Sequence, residues 1–249
     1  VDGAERVTSR GDGASLAEPV AEQPSDFPAT IRQPIASPPD PKRPPRRGCR
    51  VEGYMSWIGP PLDNALTLSH TFIVRFKDAP AGDAANPVPL LVVTGTYGGT
   101  ASGISNPGWH LARRHVPGTL RVALTEGGVW QGWHECIGTL RGYDRGVVHN
   151  YPQRRVLGAA RWALHRRDLH VDPQRVYFWS QLGGWALRHG DLFAVVMSNG
   201  QCNPSIGKLM QKHGWKWGPY PEGAKNWLGV DHWQHMNLAD FVRRNPTVE

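Results

Sequence analysis

The stretch that most constrains the fold is a nine-residue run, Val176–Gly184, which reads Val-Tyr-Phe-Trp-Ser-Gln-Leu-Gly-Gly. Its first half has the length and the aromatic and β-branched content of a buried strand. The glycine pair at its end allows the backbone to turn sharply. The residues that follow include Ala-Leu-Arg-His and favour a helix. We therefore predict a strand that runs into a tight turn and then into a helix.

Other apolar runs in the chain predict a sheet around this strand. The wholly apolar Pro89–Val93 is typical of a central parallel strand that is buried on both faces. Tyr151–Arg167 has the spacing of an amphipathic helix. Strands that alternate with helices predict an α/β fold with a mostly parallel central sheet flanked by helices. Further elements are expected as follows: strands at Arg50–Trp57, Leu66–Phe76 (expected at the sheet edge), Leu120–Leu124 and Leu192–Met197, a turn at Val171–Arg175, and a final helix at Asp231–Arg244.

The first 47 residues differ in composition from the rest of the chain. They hold nine prolines, and Phe27 is their only aromatic residue. Such a segment buries too little apolar surface to offset its ordering entropy, so we predict a disordered tail over 1–47 and one folded domain over 48–249. The basic run Pro41–Arg47 that ends the tail is read as a solvated linker, with a polyanion anchor as the alternative.

Charge and cysteine content bear on partners and location. The formal net charge is +7, but no nucleic-acid module signature is visible, which argues against a nucleic-acid partner. No run approaches the length of a membrane span. The three cysteines, Cys49, Cys136 and Cys202, suit one disulfide plus one free thiol, and Cys49 pairs with either of the others. With a start at Val1 and no apolar signal core, this predicts a secreted or periplasmic chain whose signal has been removed.

Five motifs together carry a family resemblance over roughly residues 88–245: Pro89–Gly99, Gly132–Glu135, Gly146–Tyr151, Asp172–Tyr177 and Ala186–Ala194. The chain resembles the secreted esterase branch of the α/β-hydrolase superfamily, near the polyhydroxybutyrate-depolymerase-like and feruloyl-esterase-like proteins. The resemblance implies an α/β-hydrolase type of sheet. It also implies a truncated form, because the chain ends about where the acid-bearing strand is expected to begin.

Enzymes of this family cleave carboxylic esters with a serine nucleophile, a histidine base and a carboxylate that orients the histidine. The resemblance implies no metal and no cofactor, and two histidines on one helix supply at most two metal ligands. The substrate would be an ester or lactone, either small or polymeric, and the oligomeric state stays open. The implied residues are Ser180 as nucleophile, His232 or His235 as base, Asp231 as acid, Tyr97 and Gln181 as backbone oxyanion donors, and Trp133 and His134 as substrate contacts.

The chain departs from the family at the turn itself. The usual pattern is Gly-x-Ser-x-Gly-Gly, and counting back from the glycine pair puts Gln181 at the serine position and Trp179 at the leading glycine. Ser180 lies one residue early. In the oxyanion loop, Gly95-Thr96 replaces the usual His-Gly, although backbone donors need no particular side chain.

These departures leave three hypotheses. The first is a secreted serine esterase or lactonase. The second is a catalytically impaired hydrolase-like domain that binds a sugar, a polyester or a protein through its tryptophan-rich loops. The third is polyanion binding through Lys42–Arg50 and the face of Arg154–Arg167. At the sequence level, His134 and Glu135 are read either as substrate contacts or as plain surface groups.

Overall fold

The structure is a computed structural model of the chain. It describes residues 31–33, 49–59, 62–63, 67–76, 82–94, 116–124, 133–136, 140–180, 183–198 and 223–246. None of the helices within these ranges is long and apolar enough to cross a membrane.

A seven-stranded mixed sheet forms the centre of the described chain, with the order β1-β2-β3-β5-β4-β8-β9. In that order β1, β2, β3 and β5 pair antiparallel, while β5, β4, β8 and β9 pair parallel. Five of the seven strands therefore point the same way. The strands are β1 Ile31–Gln33, β2 Cys49–Ile58, β3 Thr67–Phe76, β4 Val88–Thr94, β5 Leu120–Leu124, β8 Val171–Ser180 and β9 Val195–Ser198.

Shorter elements surround this sheet. A separate two-stranded ribbon pairs β6 Trp133–His134 with β7 Val148–His149. The helices are α1 Tyr151–His165, α2 His232–His235 and α3 Leu238–Arg244, with 3₁₀ turns at Tyr143–Arg145, Arg167–Leu169 and Gly184–His189. The α/β class predicted from the sequence is confirmed as a mixed sheet of mostly parallel strands flanked by a few helices.

The central strand β4 is buried on both faces, as its apolar run predicts. Val88, Leu90 and Val92 join a large apolar cluster on one face. Leu91 and Val93 join a second cluster on the other face, because successive strand side chains alternate. The large cluster also contains residues of α1, which packs against β4, β5 and β8. Among the described residues, the apolar cluster on the α1 face is thus the larger of the two.

A buried ion pair fixes the start of α1 against the connection between β2 and β3. The Arg155 guanidinium donates through Nη1 to Asp63 Oδ2 at 2.8 Å and to the Leu62 carbonyl oxygen at 3.1 Å. Arg155 is buried within α1, so loss of Asp63 would leave an uncompensated internal charge. The pair positions the amino end of the helix over the carboxyl edge of the sheet.

Several predicted elements differ from the structure. β3 is not an edge strand, because it lies between β2 and β5. Val171–Arg175 is not a turn but the beginning of β8, which pairs with β4 through a register shift between Val88 and Leu90. The expected final helix is two short helices, since the Asn237 side chain caps a new helix start by accepting from the Asp240 N–H. β9 begins at Val195 rather than at Leu192.

The amino-terminal segment is described only at Ile31–Gln33, which pair with Met55, Tyr54 and Gly53 of β2. The rest of residues 1–47, including the Pro41–Arg47 run, lies outside the described residues. The disordered tail and the domain boundary near residue 47 therefore stay predictions.

Replacement of Phe178 by alanine tests how much the apolar cluster on the α1 face contributes to the stability of the fold. The Phe178 ring is fully buried and packs against the rings of Trp185 and Phe193, each at a centroid distance of 5.2 Å. We expect Phe178→Ala to lower the free energy of unfolding by about 3–5 kcal/mol, the usual range for a buried phenylalanine. Denaturant unfolding measures it. Val195→Ala, at an exposed position, is the control, and equal effects of the two substitutions would contradict this account of the core.

Candidate functional site

The carboxyl ends of β4 and β8 form the place where the topology favours a ligand site. β5, which follows β4 in the chain, lies on one side of β4 in the sheet. β8 lies on the other side of β4, and β9, which follows β8 in the chain, lies farther out. Connections that leave two adjacent parallel strands in opposite directions open a crevice between them, and ligands of open α/β sheets bind there. Thr94 ends β4 and Ser180 ends β8.

Ser180 is located inside the sheet at this point and not on the tip of the turn. It is the last residue of β8, it pairs with Ser198 of β9, and only 3% of its surface is exposed. Its Oγ accepts a hydrogen bond from Thr94 Oγ1 at 2.7 Å, and Thr94 is equally buried. The three hydroxyl side chains form a row across the ends of β4, β8 and β9 on the α1 face.

Gly183, the first described residue after Ser180, packs closely against β8 and β9. The Gly183 N–H donates to Ser198 Oγ at 3.1 Å. A Cβ on Gly183 would lie 2.7 Å from the Phe178 ring and 3.0 Å from the Ser180 Cβ, which is closer than real Cβ contacts come. The turn therefore needs glycine at 183 because of space. Gln181, the residue at the family's serine position, and Tyr97 lie outside the described residues.

The carboxyl-terminal segment that carries the predicted base docks on the β6–β7 ribbon. The Val148 N–H donates to the Lys225 carbonyl oxygen at 2.9 Å, and the Trp227 N–H donates to the Val148 carbonyl oxygen at 3.0 Å. The His232 N–H donates to the Ala224 carbonyl oxygen at 2.8 Å. These bonds place α2 beside the ribbon, with the His232 ring 1% exposed.

The predicted acid and base are close in the chain but serve different tasks. Asp231 caps α2, and its Oδ1 accepts from the Gln234 N–H at 2.9 Å. The carbonyl oxygen of His235 accepts a hydrogen bond from Arg188, and the His235 ring packs edge-on against the Trp227 ring. Among the described residues, the hydrogen-bond partner of the Ser180 side chain is Thr94 rather than His232 or His235. The structure therefore does not join the predicted nucleophile, base and acid by hydrogen bonds.

Burial keeps both histidines of α2 neutral at neutral pH. Desolvation lowers the pKa of His232 to about 4, with smaller lowering effects of His235 and His134 and an opposing effect of Asp231. Desolvation and the nearby Arg188 also lower the pKa of His235 to about 4. A neutral imidazole can accept a proton, so the rings keep the chemical capacity of a base without a described contact to Ser180.

The interpretation of His134 as a surface group is wrong, because only 1% of its surface is exposed in the ribbon. Its Nδ1 accepts from the Cys136 N–H at 3.2 Å, so the ring helps to shape the turn after β6. Trp133 pairs with His149 through its backbone, and its side chain lies outside the described residues. Cys136 is buried, and its Sγ lies 3.2 Å from the Gly142 carbonyl oxygen. Cys202 and the side chain of Cys49 lie outside the described residues, so the disulfide stays a prediction.

Two contacts at this edge were not predicted from the sequence. The first is the Thr94–Ser180 hydrogen bond. The second is a carboxylate–imidazole pair in which His149 Nε2 lies 3.1 Å from Glu135 Oε2. Both residues of this pair belong to motifs that carry the family resemblance. Their separation of 14 residues, however, does not indicate that they are in contact. In the described part of the chain, no group of three or more His, Cys, Asp or Glu side chains has the geometry of a metal site.

The arginines that suggested polyanion binding are largely engaged in the fold. Arg155 pairs with Asp63, Arg154 Nε donates to Asn150 Oδ1 at 2.7 Å, and Arg166 Nε donates to Asp168 Oδ1 at 2.7 Å. Asp63 and Asp168 thus offset two of the charges on the basic face that the Arg154–Arg167 pattern suggests, whereas the bond to Asn150 orients Arg154 and leaves its charge. Most of Lys42–Arg50 lies outside the described residues, so that hypothesis stays a prediction.

Comparison with known proteins yields structural similarity but no match at the level of sequence. No family model matches the chain, and no curated protein matches it. A solved structure of a ferulic acid esterase is similar at 12% sequence identity with a TM-score of 0.33, over 60% of this chain and 57% of that chain. The match thus spans less than two thirds of the esterase chain.

Replacement of Gly183 tests whether the tight turn depends on the missing side chain. Gly183→Ala drives a methyl group against Phe178 and Ser180, and overpacking of this kind lowers the free energy of unfolding by about 1–3 kcal/mol. Gly190→Ala is the matched control, since Gly190 has helical φ and ψ and nothing lies within 4 Å of its Cβ position. Thermal unfolding of both variants separates them, and a neutral Gly183→Ala would refute the close approach.

The docking of α2 should depend on pH. The unfolded chain protonates His232 near the ordinary value of 6.5, but the folded ring does so only near 4. The unfolded state thus binds more protons below 6.5, so stability is full above that pH and falls as pH drops toward 4. Denaturation midpoints across this range should fall less steeply in His232→Gln than in wild type. His165→Gln, at an exposed position, should keep the wild-type slope, and an unchanged slope in His232→Gln would be evidence against the buried ring.

Proposed function

We propose that this chain is an α/β-hydrolase-type domain that binds a carboxylic ester, lactone or polyester at the carboxyl edge of its sheet without forming an acyl-serine. The observation that carries this proposal is the hydrogen bond between Thr94 and Ser180 inside the sheet. The secreted or periplasmic location expected from the sequence is part of the proposal.

The position of Ser180 opposes nucleophilic attack by its hydroxyl. A serine nucleophile sits on a strained turn, with Oγ exposed above the sheet and hydrogen-bonded to a base. Ser180 ends a strand, is almost fully buried and bonds to another hydroxyl. To attack a ligand it would have to abandon Thr94 Oγ1, and an unsatisfied buried hydroxyl costs about 1–3 kcal/mol.

The position of the crevice supports a ligand at this edge. It lies where adjacent parallel strands send their connections to opposite sides, which is the usual ligand position in open α/β sheets. This edge is polar, since the Gly183 N–H donates to Ser198 Oγ and the Thr94 hydroxyl donates to Ser180 Oγ. A polar edge suits the carbonyl and ether oxygens of an ester.

A second candidate is the serine esterase itself, and one observation favours it. Ser180 lies at the topological position of a hydrolase nucleophile, and His232, whose pKa is lowered to about 4, is neutral at the pH at which a base is needed. In this candidate, ligand binding would move Ser180 out of the row and into reach of a histidine.

A serine-directed phosphonate distinguishes the two candidates. If no acyl-serine forms, mass spectrometry of the full chain after incubation with a fluorophosphonate should show no adduct at Ser180. Hydrolysis of p-nitrophenyl acetate should also be the same in wild type and Ser180→Ala. Ser198→Ala is the matched control, because it removes a neighbouring hydroxyl of the same row.

The opposite result is equally clear. Stoichiometric phosphonate labelling of Ser180, together with loss of turnover in Ser180→Ala and not in Ser198→Ala, would overturn the proposal and establish the serine esterase. Unfolding midpoints of both variants confirm that each comparison is made on folded protein.

A further inference from the structure

We infer that Glu135 and His149 form an acid–base dyad, in which His149 Nδ1 accepts a proton from a water molecule or hydroxyl group that reacts with the ligand at the carboxyl edge. The inference rests on the proposed function for its ester ligand. It assigns the proton transfer to residues other than the expected Asp231, His232 and His235.

The carboxylate of the dyad is held in place from its other side. Glu135 Oε1 accepts from Arg141 Nη2 at 3.3 Å, and the same guanidinium donates to the Arg145 carbonyl oxygen at 3.0 Å. The Glu135 N–H donates to the Val147 carbonyl oxygen at 3.0 Å, which fixes its backbone against the strand that leads to His149. Glu135 Oε2 is thereby directed at His149 Nε2, 3.1 Å away.

The imidazole is held as well. Its ring stacks on Tyr151 with centroids 4.7 Å apart and an interplanar angle of 14°. Because a carboxylate only accepts hydrogen bonds, Nε2 carries the proton in this pair and Nδ1 of the neutral ring is left with its lone pair. A carboxylate that fixes the tautomer and orientation of a histidine is the arrangement that general-base catalysis uses.

His149 Nδ1 has no hydrogen-bond partner among the residues that the structure describes. The Nδ1 atom is buried, although the His149 side chain as a whole is partly exposed. Buried polar atoms are almost always paired, so a bare one is explained best by a function or by a bound group. The bond that Nδ1 lacks is the one that a ligand hydroxyl or an attacking water would supply. His149 and Glu135 side chains are 20% and 25% exposed, so the dyad lies near the surface and not in the core.

The dyad lies on the edge of the sheet that holds the crevice. His149 ends β7 and is followed, after Asn150, by α1. In a parallel β-α-β unit the helix runs opposite to the strands, so its amino end lies at the carboxyl edge of the sheet. Thr94 and Ser180 end their strands at the same edge. The ribbon thus brings the dyad to the side where the ligand is proposed to bind.

The proton transfer balances without a cofactor. A water oxygen attacks the ester carbonyl carbon and forms the new C–O bond while its proton passes to His149 Nδ1. The imidazolium then faces the Glu135 carboxylate, which stabilises it. When the tetrahedral intermediate collapses, the C–O bond to the alcohol breaks and the proton passes from His149 to the leaving oxygen. Ester and water become acid and alcohol, and no acyl-enzyme forms.

Turnover of p-nitrophenyl acetate by the full chain tests the dyad. General-base catalysis contributes about 10²–10⁴-fold, so His149→Gln should lower the rate at least about 100-fold. Glu135→Gln should lower it less, because the ring stays but loses its orienting charge. The exposed His165→Gln is the matched control for nonspecific hydrolysis by histidine.

A spectroscopic readout separates a positioning role of Glu135 from a structural one. Nitrogen-15 NMR of the histidine rings should show the proton of neutral His149 on Nε2 in wild type, and a mixture of the two tautomers in Glu135→Gln with an unchanged unfolding midpoint. Equal turnover in wild type and His149→Gln, or an unchanged tautomer in Glu135→Gln, would overturn the dyad. Loss of turnover in Ser180→Ala with phosphonate labelling would instead overturn the proposed function.

Discussion

The burial of β4 on both of its faces is the constraint on which the rest of the structure depends. A strand without a polar face must be covered on both sides, and its backbone groups must pair with neighbours on both edges. β5 and β8 supply those pairs, and α1 covers one of the faces. Once these neighbours are fixed, the carboxyl ends of β4 and β8 meet, and with them Thr94 and Ser180.

Much of this arrangement can be predicted from the positions of the apolar residues in the sequence. The runs at Pro89–Val93 and Leu120–Leu124 and the helix that begins at Tyr151 were predicted within one or two residues, because short, fully apolar runs and a long amphipathic period leave few alternatives. The glycine pair predicts a turn because glycine turns sharply, whereas Gly183 has an ordinary φ of −88° and is needed because a Cβ would meet the Phe178 ring. The polar sequence at Val171–Arg175 does not predict a strand. Val171 pairs with Val88 of β4, the pairing resumes at Val176, and an Arg175–Asp172 ion pair links two of the residues between.

The functional groups could be predicted as residue types but not as partners. Thr94 and Ser180 are 86 residues apart, and only the sheet register makes them neighbours. Asp231 followed by His232 suggests an acid and a base, yet the same short carboxylate is an excellent helix cap, and the backbone N–H of Gln234 takes it. The proximity of Asp231 and His232 in the sequence therefore suggested an acid–base pair, but the carboxylate of Asp231 caps the helix instead. The Glu135–His149 pair depends on the register of the β6–β7 ribbon, and no pattern in the sequence indicates that register.

A common physical reason links the position of Ser180 with the role inferred for His149. A one-residue shift along a strand moves a side chain to the other face of the sheet. Ser180, one residue before the serine position of the esterase pattern, lies on the α1 face, where it is buried beside Thr94. Chemistry at this edge must then depend on groups that the fold leaves oriented and incompletely bonded. His149, fixed by Glu135 and Tyr151 and bare at Nδ1, meets that requirement, whereas Ser180, satisfied by Thr94, does not.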